Sequence, residues 1–415
     1  MRFYLETHGC AANQGNSEAF SSALIEMGHL PSSLDEADLV IVNTCVVTEK
    51  TERRMRRRLS QLQGEKLVIA GCLPSAMPEA VDDITCREVM GILDRSVGMR
   101  MGEAFRPEKS RPSHRRPTQN LCAVVNISEG CRGRCSYCIV RRARGPLRSK
   151  AVPEVAREVR SRLEVGAVEV QLASQDAAAY GADLGSSLSE LLDAVVRIER
   201  DFRVRVGMMN PDQLSPILDE LIASYENPKI YKFLHLPVQS GSNRVLAEMK
   251  RGYSAQDFLN MVAHFRRAYP DLTLYTDVIT GFPGETEEDA KATELLIQKA
   301  DPDKVNVTMY SPRPGTVAFS LKDMPSRFKK DRSRRMTRLW QKIAGQRNSR
   351  YLGVTIVAQV TERGRDGTVM ARSENYRKIA ILEPLPLGSV QTFKIIRTTP
   401  FYLVGEISPS EAGDI

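Results

Sequence analysis

The sequence predicts an α/β protein in three parts: an N-terminal parallel-sheet α/β domain, a central open (β/α)6 barrel and a small all-β barrel. Runs of branched apolar residues alternate with helical stretches as far as about residue 310, which is typical of parallel sheets covered by helices. Residues 106–120 contain prolines and charges and predict an exposed linker. After residue 350, short alternating runs and glycine turns predict the β-barrel.

The length of the chain agrees with several domains. One hydrophobic core rarely grows past about 250 to 300 residues, and this chain has 415. Its 42% apolar and 27% charged residues are typical of soluble globular proteins. The predicted parts are an N-terminal domain, a linker, a barrel domain and a C-terminal domain, at 1–105, 106–120, 121–347 and 348–410.

Composition also restricts the class of function. No apolar run approaches the ~18 residues of a membrane span, and the chain opens on a strand-like segment, so we expect a cytoplasmic protein without a membrane partner. Eight cysteines in this length do not form a disulfide scaffold, and their clustering indicates metal or redox chemistry. The net charge of +8 permits a polyanionic partner. We expect a monomer.

Three strands are predicted in the N-terminal domain, at 2–6, 38–43 and 66–70, with a helix from Ser17 to Met27 after the first. A cysteine falls just beyond the carboxyl end of each strand: Cys10, Cys45 and Cys72. In a parallel sheet these ends lie along one edge, where ligands of open sheets bind. A single cysteine after a strand is usually a small buried hydrophobe, but three such placements predict a three-thiolate cluster site.

The central domain is predicted to have six βα units, fewer than the eight that close a full barrel. The candidate strands are 122–127, 168–173, 203–208, 231–236, 272–279 and 304–310. A helix is expected from Pro153 to Val165, because proline suits a first helical turn and Gly166 ends it. The active site of such a barrel lies at the carboxyl ends of its strands.

A second cysteine triplet, Cys131, Cys135 and Cys138, follows the first barrel strand at C-x3-C-x2-C spacing. Soft thiolates favour zinc or iron-sulfur over hard cations. A structural zinc site has four ligands, whereas this triplet has no fourth Cys or His nearby and leaves a coordination position open. Half of a zinc knuckle is the alternative. Cys86 and Cys122 belong to neither triplet and are predicted to be core or bystander residues.

Two basic helices and a strand-rich C-terminus suggest contact with nucleic acid. The first helix carries Arg53, Arg54, Arg56, Arg57 and Arg58, for which a solvated face is an equal alternative. The second carries nine basic residues: Lys329, Lys330, Arg332, Arg334, Arg335, Arg338, Lys342, Arg347 and Arg350. We expect it to pack on the barrel and display its charge outward. The strands that follow are predicted at 354–360, 368–372, 378–382, 389–397 and 401–407.

The cysteine spacing at 131–138 resembles that of the radical S-adenosylmethionine (SAM) enzymes, and other stretches extend the likeness. They are Thr7-His8-Gly9-Cys10, Asn43-Thr44-Cys45, Ala70-Gly71-Cys72, the run from His235 to Ser242, Met249-Lys250-Arg251 and the run from Gly281 to Thr286. Together they resemble the methylthiotransferase family over essentially the whole chain. The C-terminal strands resemble a TRAM domain, an RNA-binding barrel whose characteristic polar loop would be 372–376.

The resemblance implies two 4Fe-4S clusters and SAM as cofactors. The Cys131, Cys135 and Cys138 cluster would cleave SAM to a 5'-deoxyadenosyl radical. The Cys10, Cys45 and Cys72 cluster would carry sulfur to the carbon that the radical activates. The residues implied to bind the cofactor are Tyr137, Ser174, Gln175, Asp176, Gln239 and Arg251. Without the resemblance, Tyr137 could equally be an aromatic residue that packs within the loop. Ser174-Gln175-Asp176 could be a cap on the segment that follows.

The stretches Val206 to Pro211 and Lys232 to His235 look most like the archaeal and eukaryotic branch of that family. That branch adds a methylthio group to C2 of N6-threonylcarbamoyladenosine at tRNA position 37. Its carboxylate calls for a cationic partner, for which the candidates are Arg141, Arg142 and Arg144. Contact with phosphates is an equal alternative for these arginines. Met209 departs from the small polar residue expected at its position. The implied partners are tRNA and an external electron donor.

Three alternatives stay open. An isopentenyl-adenosine tRNA would require an apolar pocket instead of a cationic one. A ribosomal protein could also be the substrate of the same chemistry. A non-catalytic iron-sulfur protein that binds RNA would keep the clusters and the basic surfaces but would have no SAM site.

Overall fold

The computed structural model describes residues 1–105 and 121–408, so the predicted linker 106–120 lies outside the described residues. The N-terminal domain is a five-stranded sheet whose paired strands are all parallel, in the order β2-β1-β3-β4-β5. Its strands are β1 (Arg2–Thr7), β2 (Leu30–Pro31), β3 (Leu39–Thr44), β4 (Gly64–Gly71) and β5 (Cys86–Val89). Its helices are α1 (Ala11–Glu26), α2 (Glu49–Leu62), α3 (Cys72–Ala76) and α4 (Arg95–Ala104).

Helix α1 begins six residues earlier than the sequence predicted. The first half of its buried face is polar, with Asn13, Asn16 and Ser17 all buried. A search for apolar periodicity therefore detects only the second half, where Phe20 and Leu24 enter the core. The polar half packs against the first strand of the central domain, so this face joins the two domains.

The central domain contains the six predicted parallel strands as two three-stranded sheets, β6-β9-β10 and β11-β12-β13. An isolated bridge between Val204 and Ile230 connects the two sheets, which gives an open barrel. The strands, with the short pair β7 and β8, are β6 (Cys122–Asn126), β7 (Ser128–Glu129), β8 (Arg148–Ser149), β9 (Glu169–Ala173), β10 (Arg203–Val206), β11 (Phe233–His235), β12 (Thr273–Thr280) and β13 (Lys304–Met309).

Helices cover the outside of this barrel and form one apolar core with the strands. Before them, α5 (Val140–Arg144) packs against α3 of the N-terminal domain. The covering helices are α6 (Val152–Glu164), α7 (Leu188–Val196), α8 (Pro211–Leu214), α9 (Leu218–Ser224), α10 (Asn243–Glu248), α11 (Ala255–Ala268), α12 (Glu287–Ala300) and α13 (Ser326–Ser349). Helices α11 and α12 each begin with a reciprocal capping box, at Ser254 and Thr286.

The C-terminal strands form a closed barrel in the order β14-β15-β16-β18-β17. They are β14 (Thr355–Arg363), β15 (Val369–Ser373), β16 (Lys378–Ile381), β17 (Val390–Thr398) and β18 (Leu403–Ile407). The barrel contacts the amino-terminal ends of the central strands, because Arg377 pairs with Asp303 at 2.6 Å and Asn375 donates to the Asp271 carbonyl at 3.1 Å. It therefore lies at the end of the central barrel opposite to the cysteine loop.

Within the polar loop 372–376, Glu374 is exposed, whereas Arg372, Ser373 and Tyr376 are buried. Arg372 and Tyr376 are each 5% exposed. The Tyr376 ring packs on Tyr231 and Phe233 with centroids 4.8 and 4.9 Å apart, and its hydroxyl donates to Glu169 at 3.2 Å. The loop thus closes the amino-terminal end of the central barrel.

Helix α13 runs along the barrel, but it does not display all its charge outward as the sequence predicted. Lys329, Arg332 and Arg347 are buried in ion pairs with Asp323, Glu285 and Asp303, respectively. Lys329 also donates to the carbonyl of Tyr310, just past the carboxyl end of β13, while Asp303 precedes the amino end of the same strand. The helix therefore spans the full length of the barrel. In the described ranges, no helix is both long and apolar enough to cross a bilayer.

Candidate active site

The loop that carries Cys131, Cys135 and Cys138 follows β6 at the carboxyl end of the first barrel strand. Gly130 starts it with φ 75°, and a Cβ there would collide with the carbonyl of Pro146, so the position requires glycine. Ser136 fixes the loop to the end of α10, since its hydroxyl donates to the Glu248 carbonyl at 2.8 Å and its amide to that of Met249 at 3.1 Å.

Two hydrogen-bond donors point at the thiols of this loop. The amide of Gly133 donates to Sγ of Cys131, and the guanidinium of Arg251 donates to Sγ of Cys135, both at 3.2 Å. Burial raises the pKa of Cys131 to about 11 and also raises that of Cys138. Metal binding displaces thiol protons, and these donors then stabilise the resulting thiolates.

The second triplet lies at the carboxyl edge of the N-terminal sheet. Cys45 and Cys72 directly follow β3 and β4, and Cys10 lies in the turn after β1. A Cβ at Gly9, which has φ 114°, would lie 3.3 Å from Sγ of Cys45. Burial above all raises the pKa of Cys72 to about 11, while the nearby Arg144 guanidinium opposes the rise and the charges of Cys10 and Cys45 add to it. The sheet edge thus brings these three thiols together.

Neither triplet surrounds a single ion. In the residues 1–105 and 121–408, no three His, Cys, Asp or Glu side chains are arranged to hold one metal ion. A structural zinc has four ligands that converge on one point. An iron-sulfur cluster is a larger group held by thiolates, and the donor set of each triplet fits it.

A cavity of about 390 Å³ opens at the carboxyl ends of the barrel strands, and all three cysteines of the loop line it. Three buried side-chain oxygens near the loop have no hydrogen-bond partner among the described residues: Gln175 Oε1, Asp176 Oδ2 and Asn210 Oδ1. All three residues line the cavity. Unpaired buried acceptors are costly, so this wall is suited to a ligand that carries several N–H or O–H donors.

Asp176 is the most perturbed carboxyl group of this wall. It is 2% exposed, and burial raises its pKa to about 7. Its other oxygen accepts the amide of Asn210 at 2.9 Å, which orients the carboxyl group. A carboxyl group that titrates near neutral pH in a cavity is a candidate functional group.

The structure places most of the predicted cofactor residues on this cavity. Tyr137, Gln175, Asp176, Gln239 and Arg251 all line it. Gln239 has φ 69°, an uncommon conformation for a residue other than glycine.

Two residues of this region lie elsewhere than the sequence suggested. The cavity lining does not include Ser174, whose buried hydroxyl has no partner among the described residues. Met209 is fully buried in the barrel core, and its neighbour Met208 lines the cavity. The departure at Met209 therefore does not shape the pocket.

The N-terminal domain forms part of the same cavity. Val47 and Thr48, which follow Cys45 by two and three residues, line it together with Met309 and Ser311. The Glu49 amide donates to the Ser311 hydroxyl at 3.0 Å. A second contact is deeper: Arg313, 2% exposed, pairs with Glu52 at 2.7 Å.

The three arginines after the cysteine loop have three different environments. Arg141 lines the cavity and donates to the Gly133 carbonyl at 2.8 Å. Arg142 is exposed, beside Gly315. Arg144 is buried and pairs with Glu129, so the prediction that all three could meet a substrate is wrong for Arg144.

The basic face predicted on α2 is also only partly free. Arg58 pairs with Glu6 and Arg56 with Asp83, both at 2.7 Å. Sequence reasoning missed Asn13, Asn210 and Arg313. The available signals were an asparagine in a glycine-containing helix start, an Asn-Pro step after a strand and an arginine between two prolines.

Comparisons with known proteins agree with this geometry. The family described as Radical SAM superfamily matches residues 125–297, and the one described as Uncharacterized protein family UPF0004 matches residues 2–91. The first match contains the loop with Cys131, and the second contains Cys10, Cys45 and Cys72.

Full-length relatives carry more specific names. The chain is 39% identical to a protein of Pyrococcus abyssi named "Probable threonylcarbamoyladenosine tRNA methylthiotransferase", over 98% of this chain and 99% of that one. It is 35% identical to a Thermotoga petrophila protein named "tRNA-2-methylthio-N(6)-dimethylallyladenosine synthase", over 98% and 97%.

Among solved structures, the radical SAM methyltransferase TsrM of Kitasatospora setae, with cobalamin and a [4Fe-4S] cluster bound, superimposes with a TM-score of 0.54. The alignment covers 89% of this chain and 77% of that one at 14% identity, so it supports the fold alone. With the match over the whole chain to the archaeal protein and both cysteine triplets in place, this chain belongs to the radical SAM methylthiotransferase family.

Proposed function

We propose that this chain transfers a methylthio group to C2 of N6-threonylcarbamoyladenosine at tRNA position 37. The observation that carries the proposal is that the cavity lined by one cysteine triplet is also lined by the segment that follows Cys45 of the other triplet. Cys131, Cys135 and Cys138 line it directly, while Val47 and Thr48 bring the chain beyond Cys45 to the same wall. A cavity that holds one cysteine site and adjoins the domain of the other suits a reaction in which one site activates a carbon and the other supplies sulfur.

The cavity residues fit the cofactors of the family. Members of the Radical SAM superfamily use SAM and a 4Fe-4S cluster. We propose Cys131, Cys135 and Cys138 for that cluster, and Cys10, Cys45 and Cys72 for a second one. When bound, these groups supply a 5'-deoxyadenosyl radical and the transferred sulfur.

The chain's own residues bind and orient these groups. The unpaired oxygens of Gln175, Asp176 and Asn210 suit the ammonium and hydroxyl donors of SAM. Tyr137 is half-buried against the apolar cluster that contains Met249 and Phe282, and it lines the cavity beside the thiols. Arg251 is held by Tyr253 at 2.9 Å and by the Pro237 carbonyl at 3.3 Å, which fixes its donor on Cys135.

The rim of the cavity fits a modified base. Val47, Met208 and Met309 line it and are exposed, an unusual number of large apolar side chains at one opening. Such side chains suit the faces of an unstacked base, which is how single-stranded loops are read. Arg141 supplies a cationic guanidinium at the same cavity and suits the threonyl carboxylate.

Exposed cations on α13 fit the backbone of tRNA. Lys330, Arg334, Arg338 and Lys342 are exposed at four-residue spacing, about 6 Å apart along one face. None of the four has an ion-pair partner in the described parts of the chain. The helix extends from the cavity end of the barrel to the C-terminal domain, so one RNA could contact both.

We assign one role to each part of the chain. Residues 1–105 hold the sulfur-carrying cluster, 121–347 hold SAM and its cluster, and 348–410 bind RNA. The proposed protein acts as a cytoplasmic monomer, reduced by an external electron donor. Gel filtration of the reconstituted protein tests the oligomeric state.

Nucleoside mass spectrometry tests the substrate. The reconstituted protein with SAM, sulfide and reductant should convert threonylcarbamoyl-adenosine tRNA to its 2-methylthio form and leave isopentenyl-adenosine tRNA unmodified. Arg141→Gln should raise the KM for the first tRNA about 10- to 100-fold, the loss expected for a charge-assisted hydrogen bond. Arg142→Gln is the matched control. Modification of the isopentenyl substrate alone would overturn the assignment.

Iron analysis tests the two cluster sites. Replacement of Cys131, Cys135 and Cys138 by alanine should leave one cluster and abolish SAM cleavage. Replacement of Cys10, Cys45 and Cys72 should leave cleavage intact and stop sulfur insertion. A single cluster in the unmodified protein would contradict the two-site proposal.

A further inference from the structure

Arg144 follows the Cys131–Cys138 loop in sequence, but in the folded chain it lies beside the site of Cys10, Cys45 and Cys72. It ends α5, six residues after Cys138, yet its guanidinium is buried against the N-terminal domain. There it donates to the side-chain oxygens of Glu129, Asn13 and Asn16, the last at 3.0 Å. A cation from the central domain therefore lies within the interface beside the sulfur site.

Asn13 connects this cation to the three cysteine turns. Its amide donates to the carbonyls of His8 at 2.6 Å and Thr44 at 2.9 Å, the residues just before Gly9-Cys10 and Cys45. Its oxygen accepts both the Arg144 guanidinium and the Cys72 thiol, the latter at 3.5 Å. Arg144 thus reaches all three turns of the N-terminal triplet through one side chain.

The charges near Arg144 indicate a role for its guanidinium beyond the ion pair with Glu129. Glu129 supplies one negative charge, whereas three thiolates with a cluster would add more. Arg144 interacts electrostatically with both Cys72 and Cys10. Its Nε is also buried and has no acceptor among the described residues. Buried unpaired donors are rare unless a ligand satisfies them.

We propose that Arg144 is a positioning residue for the sulfur-carrying site: it sets the charge on the Cys10, Cys45 and Cys72 cluster and holds that cluster at a fixed distance from the cavity. The proposal rests on the proposed second cluster. A cation beside a cluster favours its reduced, more negative state and so raises its reduction potential. The same guanidinium, held by three side chains, fixes the N-terminal domain against β7 and α5.

A purely structural arginine would give a different result. An arginine with only a structural role would stabilise the domain interface by its contacts. Its loss would weaken the interface without a defined change in the reduction potential of the cluster. The charge role predicts shifts of opposite sign for Arg144 and Glu129, because removing the cation and removing its acid partner change the local charge in opposite directions.

The experiment uses the full chain with Cys131, Cys135 and Cys138 replaced by alanine, so that only the N-terminal cluster is present. Its midpoint potential is measured by a redox titration followed by electron paramagnetic resonance. Variants in this background are Arg144→Gln, Arg144→Lys and Glu129→Gln, with the exposed Arg142→Gln as matched control. Hydrogen exchange over residues 9–18 and 122–129 reports the interface.

Arg144→Gln should shift the potential to a more negative value and Glu129→Gln to a more positive one, with no shift in Arg142→Gln. Arg144→Lys should keep a potential near that of the parent but exchange faster, since lysine keeps the charge and loses the forked geometry. With both clusters intact, Arg144→Gln should reduce sulfur insertion 10- to 100-fold while SAM cleavage continues.

Two results overturn the inference: an unchanged potential in Arg144→Gln, or shifts of the same sign in Arg144→Gln and Glu129→Gln. If Arg144→Gln retains no cluster, the sign of the Glu129→Gln shift decides. Failure of the proposed function is separate, because it would appear as a parent background that binds no cluster at all.

Discussion

The position of Tyr376 predicts what the loop 372–376 does. The ring lies between the C-terminal and central barrels, 5% exposed, and packs on Tyr231 and Phe233. Its hydroxyl donates to Glu169 and accepts from Gln171, both at 3.2 Å. Since nothing in this arrangement faces solvent, we expect substitutions here to weaken the contact between the barrels and not the contact with RNA phosphates.

The expected loss of stability depends on which interactions each substitution removes. Tyr376→Phe removes both hydrogen bonds of the hydroxyl, the one to Glu169 and the one from Gln171, but the Glu169 carboxylate keeps Tyr231 at 3.2 Å and Gln171 at 2.8 Å. A hydrogen bond to a charged group contributes about 1.5 to 3 kcal/mol, and the remaining partners place the loss near the lower value. Tyr376→Ala also removes the ring from an aromatic cluster, for which large-to-small changes cost about 3 to 5 kcal/mol.

Hydrogen exchange and tRNA binding together test this reasoning. A loss of 1 to 2 kcal/mol corresponds to about 5- to 30-fold more frequent opening, so amides of β15, β16 and the segment before β12 should exchange faster in Tyr376→Phe. The dependence of tRNA affinity on salt should keep its slope, because no phosphate contact is removed. Glu374→Gln, an exposed position in the same loop, is the control.

The opposite outcome would refute it. If Tyr376→Phe leaves hydrogen exchange unchanged but weakens tRNA binding, Tyr376 contributes to RNA contact and not to the stability of the interface between the barrels.

Three further predictions concern charge and backbone geometry. Burial raises the pKa of Asp176 to about 7 from 3.8, so the cofactor-free protein should lose stability as pH rises towards and through 7; between pH 6 and 8 the loss is about 1.4 kcal/mol, and pH-dependent melting of Asp176→Asn should lack it. Arg313→Met leaves Glu52 unpaired in the domain interface and should cost about 3 kcal/mol in urea unfolding, part of which Glu52→Gln should restore in the double variant. Gly130→Ala should reduce the iron bound by Cys131, Cys135 and Cys138, measured in the variant without the N-terminal triplet, because its Cβ collides with the Pro146 carbonyl; full iron content would contradict this.

Strand positions could be predicted from sequence because their signal is local. All six central strands and all five C-terminal strands lie within about three residues of the predicted bounds. The carboxyl ends of parallel strands lie along one edge of the sheet, so cysteines that follow those ends lie along the same edge. The sequence pattern therefore predicted that Cys10, Cys45 and Cys72 lie near one another. Four short strands were missed: β2, β7 and β8 have two residues each and give no periodicity, and β5 is a four-residue, mostly exposed strand at the edge of its sheet.

Only the tertiary structure determines which charged side chains are buried, which are exposed and which partners they contact. Arg141, Arg142 and Arg144 are neighbours in sequence, yet one lines the cavity, one is exposed and one is buried in the domain interface. The sequence determines that a short helix follows Cys138 and that it is basic. It does not determine which guanidinium meets Asn13, 131 residues away. That choice depends on how the two domains pack, because a buried charge is placed by partners that only the folded chain brings together.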